Sequence, residues 1–370
     1  MNKINLFILI STVAVFLVLV VTLDRVQRKG ILPKIEVGNV NNTKIPITTV
    51  VATDLEIPWG LAFLPDGSLL VTERPGRVRV IDSYGNLLPS PVATIAEVKH
   101  IGEGGLLGIA IHPDFANNKF VYLYYTYSSN GDDTLNRVSR YKLEDGKLIN
   151  EQVIVEAIPG AINHNGGRIK FGPDNFLYIT TGDAQNPSLA QNRNSLAGKI
   201  LRVTDEGKAV PDNPFGNLVY SYGHRNPQGL AWDDKGHLWA TEHGQQALDE
   251  LNLIEKGKNY GWPVIQGDEK QEEMMSPIIQ SGKGVTWAPA GTVFYHESIF
   301  FGGLRGQSLF EYKIADKILK KYFQEEFGRI RNVVLGPDGY LYLTTSNTDG
   351  RGSPKENDDK LIKVNPKVFK

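Results

Sequence analysis

The stretch Tyr222-Gly223-His224-Arg225-Asn226-Pro227-Gln228-Gly229-Leu230-Ala231-Trp232 sets four hydrogen-bonding side chains between two glycines, ahead of an apolar run. The guanidinium of Arg225 is a rigid fork of donors suited to carboxylates, and Pro227 with the flanking glycines fixes the backbone that aims it. The same residues also make an ordinary hydrogen-bonded turn, so the loop alone leaves both readings open. Five further segments carry more polar groups than a turn requires: Gly102-Glu103-Gly104-Gly105, Asn163-His164-Asn165-Gly166-Gly167-Arg168, Glu242-His243-Gly244-Gln245, Gly303-Leu304-Arg305-Gly306 and Gly328-Arg329-Ile330-Arg331. Among seven histidines, His164 has the strongest claim to proton-transfer chemistry, because two nearby glycines let a substrate approach its ring. Arg225, Arg305, Arg329 and Arg331 come from three distant parts of the chain. Brought together, they would repel one another unless they share a polyanion. Taken singly, Arg168 or Arg329 reads equally well as a surface residue.

Other chemistries find no footing. The chain has no cysteine, which removes disulfides, thiolate metal sites, iron–sulfur clusters and a cysteine nucleophile together. Gly102-Glu103-Gly104-Gly105-Leu106-Leu107 lacks the last glycine of a dinucleotide fingerprint and no helical pattern follows it. There is no phosphate-binding Walker loop, no Gly-x-Ser-x-Gly elbow and no zinc-type histidine spacing. With 40 basic and 41 acidic residues and a net charge of -1, nothing points to nucleic acid as a partner.

The elements that must position these residues repeat. A Pro-Asp-Gly type turn, an alternating strand, then a Thr and a polar loop recur at Leu64-Pro65-Asp66-Gly67, His112-Pro113-Asp114, Gly172-Pro173-Asp174-Asn175, Asp233-Asp234-Lys235-Gly236 and Gly336-Pro337-Asp338-Gly339. The last interval is nearly twice the others, so a sixth unit is expected inside it, on residues 292–295 and 308–312. Strand-rich repeats of this period predict an all-β, six-bladed β-propeller. Val121, Leu123, Ile179, Leu238, Leu341, Leu343 and the tyrosines 122, 124 and 125 read as core. Equivalent strands end on one rim, gathering Thr181-Gly182-Asp183, Thr241-Glu242-His243-Gly244 and Thr345-Ser346-Asn347 around the axis.

Ahead of the propeller, residues 4–23 (INLFILISTVAVFLVLVVTL) form an uncharged run long enough to cross a bilayer as a helix. No Ala-x-Ala-like cleavage site follows, which favours a membrane anchor over a cleaved signal segment for residues 1–29. Arg25, Arg28 and Lys29 outweigh Lys3, and orientation stays open. Residues 30–48 read as a linker holding the glycosylation sequon Asn41-Asn42-Thr43, and 49–370 as the propeller domain.

In order, the motifs GEGGLLGIAIHPDF, NHNGGRIKFGPD, GHRNPQGLAW, TEHG followed by DELNLIEKGKNYGWP, LRGQSLFEY and GRIRNVVLGPDG resemble the soluble aldose sugar dehydrogenases dependent on pyrroloquinoline quinone (PQQ). This is the glucose/sorbosone dehydrogenase family, and the resemblance spans about residues 50–366. It implies a six-bladed propeller with PQQ over the axis at one rim, its three carboxylates supplying the polyanion. Arg225 and Asn226 match quinone-side contacts. Arg305, Arg329 and Arg331 match partners of the cofactor carboxylates or quinone oxygens, Arg305 standing where relatives carry a lysine. Glu103, a Gln in some relatives, binds sugar, contacts PQQ or is structural. His224 and Gln228 become supports.

His164 matches the general base that takes the anomeric hydroxyl proton as hydride passes to the quinone, a task suited to an imidazole. The adjacent Asp of glucose-oxidising relatives is Asn163 here, so loss of an ion-pair partner for His164 is expected. The resemblance also implies calcium on the carbonyls of Gly244 and Gln245, and a second, structural calcium on the Glu250 side chain and the Tyr260 carbonyl. The expected partners are an aldose substrate, an unidentified electron acceptor and a membrane through the N-terminal helix. The propeller is expected on the extracytoplasmic side, or secreted or periplasmic if the signal is cleaved. Two other readings use the same scaffold: a calcium-dependent propeller lactonase and a non-catalytic binding module.

Overall fold

The computed structural model describes residues 34–38 and 46–369. The apolar run 4–23 and the sequon lie outside the described residues. Among the described residues, no helix is long and apolar enough to cross a membrane.

Six antiparallel sheets follow one another along the chain. Blade 1 spans 58–94, blade 2 106–159, blade 3 169–222, blade 4 227–280, blade 5 289–322 and blade 6 330–364. Within each blade the strands pair in sequence order, and the first strands of neighbouring blades pack on one another around the axis. The ring closes between the chain ends: Thr48–Ala52 pairs antiparallel with Leu361–Val364 as the outermost strand of blade 6. Lys34–Val37, inside the stretch read as a linker, adds a fifth strand to blade 5, parallel to Ile318–Tyr322.

The repeated turn residues have two jobs. Asp174 Oδ1 accepts the Phe176 amide while Oδ2 accepts the Tyr178 hydroxyl at 3.0 Å. Asp338 does the same for the Tyr340 amide and the Tyr342 hydroxyl, at 2.9 Å. Each aspartate thus ties its own turn to the following strand. Blade 5 lacks the signature because its first hairpin is only two residues long: Tyr295 pairs with Ser298, and His296 and Glu297 sit at φ 43° and 60°. Two residues at positive φ make the tight turn whose twist suits a hairpin, without proline.

The repeated threonines join blades. Thr72 Oγ1 donates to the Leu107 carbonyl (2.6 Å) and Thr241 Oγ1 to the Ala290 carbonyl (2.7 Å), in each case the first strand of the next blade. That approach is so close that a Cβ on Gly229 would meet the Ala290 oxygen at 2.5 Å. Apolar side chains fill the space between blades; Val121, Leu123, Ile179, Leu341, Leu343 and tyrosines 122, 124 and 125 are fully buried. The strands are therefore rigid, and the loops at one rim carry the chemistry.

Candidate active site at the propeller axis

Loops from all six blades line one cleft of about 480 Å³. Its walls include Glu103, His164, Arg225, Asn226, Arg305, Arg329 and Arg331, the seven side chains expected at the site, together with the backbone of Gly244 and Gln245. Glu250 and Tyr260 lie outside that lining. Arg305 reaches the cleft from its edge with an exposed side chain.

His164 is held in a specific pose. Its backbone adopts φ 62°, and its amide donates to Glu103 Oε2 at 3.1 Å. The chain at residues 182–184 runs directly against it: a Cβ on Gly182 would meet the His164 carbonyl at 1.8 Å. Glycine there lets the next residue, Asp183, place Oδ1 2.7 Å from His164 Nδ1. Asp183 is fully buried; its Oδ1 also accepts the Gln185 amide (2.9 Å) and its Oδ2 the Trp262 indole NH (2.8 Å). The expected loss of an ion-pair partner is thus overturned. A carboxylate nineteen residues downstream stands where Asn163 offers none, because the loop entering blade 3 and the loop after that blade's second strand face each other in the register of its first hairpin. With Nδ1–H facing Asp183, Nε2 keeps its lone pair for the cleft.

Beside this pair lies a cluster of desolvated cations. Arg331 Nη1 donates to Gln228 Oε1 (2.6 Å), and Arg168 Nε to the Gln228 carbonyl (3.0 Å). Both guanidiniums stand over the Trp59 ring, their Cζ atoms 5.7 and 4.2 Å from its centroid. Burial pushes Arg331 down to about 9, against the pull of Asp349 and with added repulsion from Arg329 and Arg74. Burial and the neighbouring Arg331 push Arg168 to about 9 as well. Arg225 and Arg74 are also lowered, chiefly by burial. Arg329 is the compensated one, its Nη2 2.8 Å from Asp349 Oδ2. Arg168 and Arg329 are therefore both buried.

Several polar atoms of the cleft lining have no partner: Arg225 Nε, Arg331 Nε, Asn226 Nδ2 and His243 Nε2 are buried without a hydrogen bond. A buried donor without an acceptor costs about 1–3 kcal/mol, and a charged one more. An anionic ligand at the axis would satisfy them together, and a rigid tricarboxylate fits that donor set.

Two residues that the sequence reading passed over complete the rim. Arg351, from the loop after the second strand of blade 6, binds Glu103 Oε1 through Nη1 and Asn163 Oδ1 through Nη2 (2.7 Å). Burial opposes ionisation of Glu103, yet His243, Arg351 and the His164 amide hold the carboxyl down at about 2. Burial keeps His243 itself down at about 4, so near neutral pH the cation facing Glu103 is Arg351. Asp249 organises the metal-candidate loop, accepting the amides of Gly244 (3.0 Å), Trp287 (2.6 Å) and Ala288 (2.9 Å) and the Thr286 hydroxyl (2.7 Å). Arg225 Nη1 and Nη2 reach the carbonyls of His243 (3.3 Å) and Gln245 (3.5 Å).

Of the two residues expected to be supports, Gln228 lines the cleft and His224 stands behind it. His224 is buried between Ser221 Oγ and Glu242 Oε2, each at 2.8 Å. Glu250, placed behind the rim, accepts the Asn252 amide at 3.0 Å, and burial together with Glu242 pushes its carboxyl up to about 8. No group of three or more His, Asp or Glu side chains among the described residues could hold a metal, so a metal here would take at least part of its ligands from backbone oxygens.

Residues 55–361 match the family model described as Glucose / Sorbosone dehydrogenase. An aldose sugar dehydrogenase of Escherichia coli is 32% identical, the match covering 86% of this chain and 92% of that protein. Quinoprotein glucose dehydrogenase B of Acinetobacter calcoaceticus is 34% identical over 59% of this chain and 52% of its own length. A PQQ-bound aldose sugar dehydrogenase structure from Streptomyces coelicolor superposes with a TM-score of 0.81 and 40% identity, covering 90% of this chain and 99% of that one.

Proposed function

The chain belongs to the glucose/sorbosone dehydrogenase family, and from that premise we propose that it oxidises aldoses at C1 to lactones with PQQ and calcium. The observation that carries this reading is that His164, held by the buried Asp183, shares one cleft with the buried guanidiniums of Arg225 and Arg331, whose Nε atoms have no partner. Arg331 and Arg225 offer Nε donors to the cofactor carboxylates and quinone oxygens, and Asn226 offers Nδ2, while Arg168 adds positive charge behind Gln228. Arg329 and the exposed Arg305 add charge at the edge. When bound, PQQ supplies the ortho-quinone that takes up the two electrons leaving C1 as hydride.

The chain's own part is orientation and proton transfer. Asp183 holds His164 with Nε2 toward the cleft, and Nε2 accepts the proton of the anomeric hydroxyl as the C1–H bond breaks and the C1–O double bond forms. Asp183 then stabilises the imidazolium without taking the proton itself. Glu103, Asn163 and Arg351 form a hydrogen-bonding edge beside His164 for the sugar hydroxyls.

For calcium, the candidate oxygens are the carbonyls of Gly244 and Gln245, on the loop shaped by Asp249. A bound cation there would polarise a quinone oxygen. The Glu250 carboxylate with the Tyr260 carbonyl is the candidate structural site; a buried carboxyl pushed up by Glu242 is one that a cation would relieve. We also infer that residues 4–23 deliver the propeller outside the cytoplasm, as an anchor or a signal.

The test is reconstitution of the protein with PQQ and calcium, followed by dye reduction across a panel of aldoses. PQQ-dependent turnover is expected. No turnover on any aldose overturns the reading, and lactone hydrolysis without PQQ would favour the lactonase instead.

A further inference from the structure

Lys199 is a fully buried lysine with no carboxylate partner among the described residues. Its Nζ donates to three backbone carbonyls: Leu189 at 2.8 Å, Ala190 at 2.9 Å and Ala197 at 2.6 Å. Three carbonyl dipoles converging on one cation is the arrangement that binds a free ammonium or potassium ion. Two of these oxygens belong to the single-turn helix Ser188–Gln191, whose last carbonyls lack intrahelical partners and favour a cation.

The caged segment sits between the two halves of the proposed site. The Ala190 carbonyl also accepts the Gly223 amide (2.9 Å), and the Gly198 carbonyl accepts the His224 amide (3.1 Å), so 190–198 sets the loop that carries Arg225. On the other side, the Gly198 amide donates to the Gly182 carbonyl (2.7 Å), directly before Asp183. The Asp183 amide in turn donates to the Arg225 carbonyl at 2.8 Å. Gln191 Nε2 holds the Trp262 carbonyl (2.7 Å), and the Trp262 indole NH is bonded to Asp183. Asp183, Arg225 and Trp262 therefore all hang on one segment, and that segment is folded around the Lys199 ammonium.

We propose that Lys199 is a positioning residue for the reaction assigned above: a tethered monovalent cation whose carbonyl cage sets the spacing of Asp183 and Arg225. It touches neither substrate nor cofactor. It acts through Asp183, whose contact with His164 is sensitive to small displacements. Misplacement of a catalytic group by about 1 Å can cost about a hundredfold in rate. The kinetic part of this inference rests on the proposed dehydrogenase reading; the cage itself does not.

The test uses the full chain with Lys199→Ala, which opens a cavity where the ammonium stood. Thermal unfolding without cofactor is followed in ammonium, potassium and tetramethylammonium chloride, and PQQ-dependent kcat and KM are measured in the same salts. The variant should lose about tenfold to a hundredfold in kcat with a smaller change in KM. Ammonium, and more weakly potassium, should raise both its melting point and its kcat, while tetramethylammonium does neither and wild type responds to none.

An equal response to all three salts overturns the cage. Recovery of melting point without recovery of kcat overturns the positioning role. A cation-specific thermal recovery in a protein whose wild type shows no sugar oxidation leaves the cage standing and sinks the dehydrogenase reading. Should Lys199→Ala fail to fold, Lys199→Gln and ammonium-dependent refolding of Lys199→Ala replace it. Refolding yields equal in ammonium and tetramethylammonium, with wild-type kcat in Lys199→Gln, then overturn the proposal.

Discussion

His164 Nδ1 and Asp183 Oδ1 lie 2.7 Å apart, a contact made across the rim end of blade 3's first hairpin rather than between sequence neighbours. It fixes which imidazole nitrogen faces the cleft, and the Gln185 amide and Trp262 indole fix Asp183 in turn. Replacing Asp183 by Asn keeps the shape but removes the charge that stabilises a protonated ring. Asp183→Asn should lower kcat by about a hundredfold, within the usual range for general base catalysis, with KM for sugar little changed. Steady-state kinetics on the PQQ-loaded protein checks this, and an unaltered kcat contradicts it.

Much of this was legible in the sequence. The turn aspartates and alternating strands give six blades even though blade 5 hides its turn, because the gap it leaves is two repeats long. Convergence of Arg225, Arg329 and Arg331 follows from equivalent strands ending on one rim. Asp183 belongs to that rim, but its role depends on a partner nineteen residues away that only the register of blade 3's first hairpin brings to it. Arg351 lies in a Gly-Arg-Gly loop that reads as solvent-exposed; only the closed ring carries it to Glu103 and Asn163. The calcium candidates leave little trace because carbonyl ligands have no side-chain signature.

The axial arginines are held at a cost to the protein alone. Arg331 is buried, lowered to about 9 by burial, and has Nε without a partner. Arg331→Met should therefore leave the cofactor-free protein at least as stable as wild type, because loss of the desolvated charge offsets the lost contact with Gln228. The same change should weaken PQQ binding by about tenfold or more, the worth of a charged hydrogen bond. Denaturant unfolding and PQQ titration read the two effects, and a loss of both stability and affinity would contradict the account.

Glu103 gives the site a defined acid limit. Its folded pKa of about 2 lies below the ordinary 4.5, so ionised Glu103 stabilises the folded state fully above about 4.5. That contribution fades as pH falls from there through about 2. Wild type should exceed Glu103→Gln in stability near neutral pH, with the gap closing across that window. Urea midpoints measured from neutral pH downward test it; a gap independent of pH contradicts it.

Calcium should act on stability through Glu250 and on turnover through the Gly244–Gln245 carbonyls. Added calcium is expected to raise the melting point of wild type, and Glu250→Gln to lose most of that rise while keeping calcium-dependent turnover. Differential scanning with and without chelator distinguishes the two sites, and an unchanged calcium response in Glu250→Gln removes the second one.

The central claim is that His164 takes the sugar proton in a site built to hold PQQ. Its most direct measurement is the absorbance change of protein-bound PQQ on rapid mixing with an aldose, in wild type and in His164→Ala. Wild type should bind PQQ and reduce it in a single fast phase, while His164→Ala binds PQQ with similar affinity and reduces it at least about a hundredfold more slowly. Reduction at the wild-type rate in His164→Ala, or no reduction in wild type on any aldose, would contradict the account.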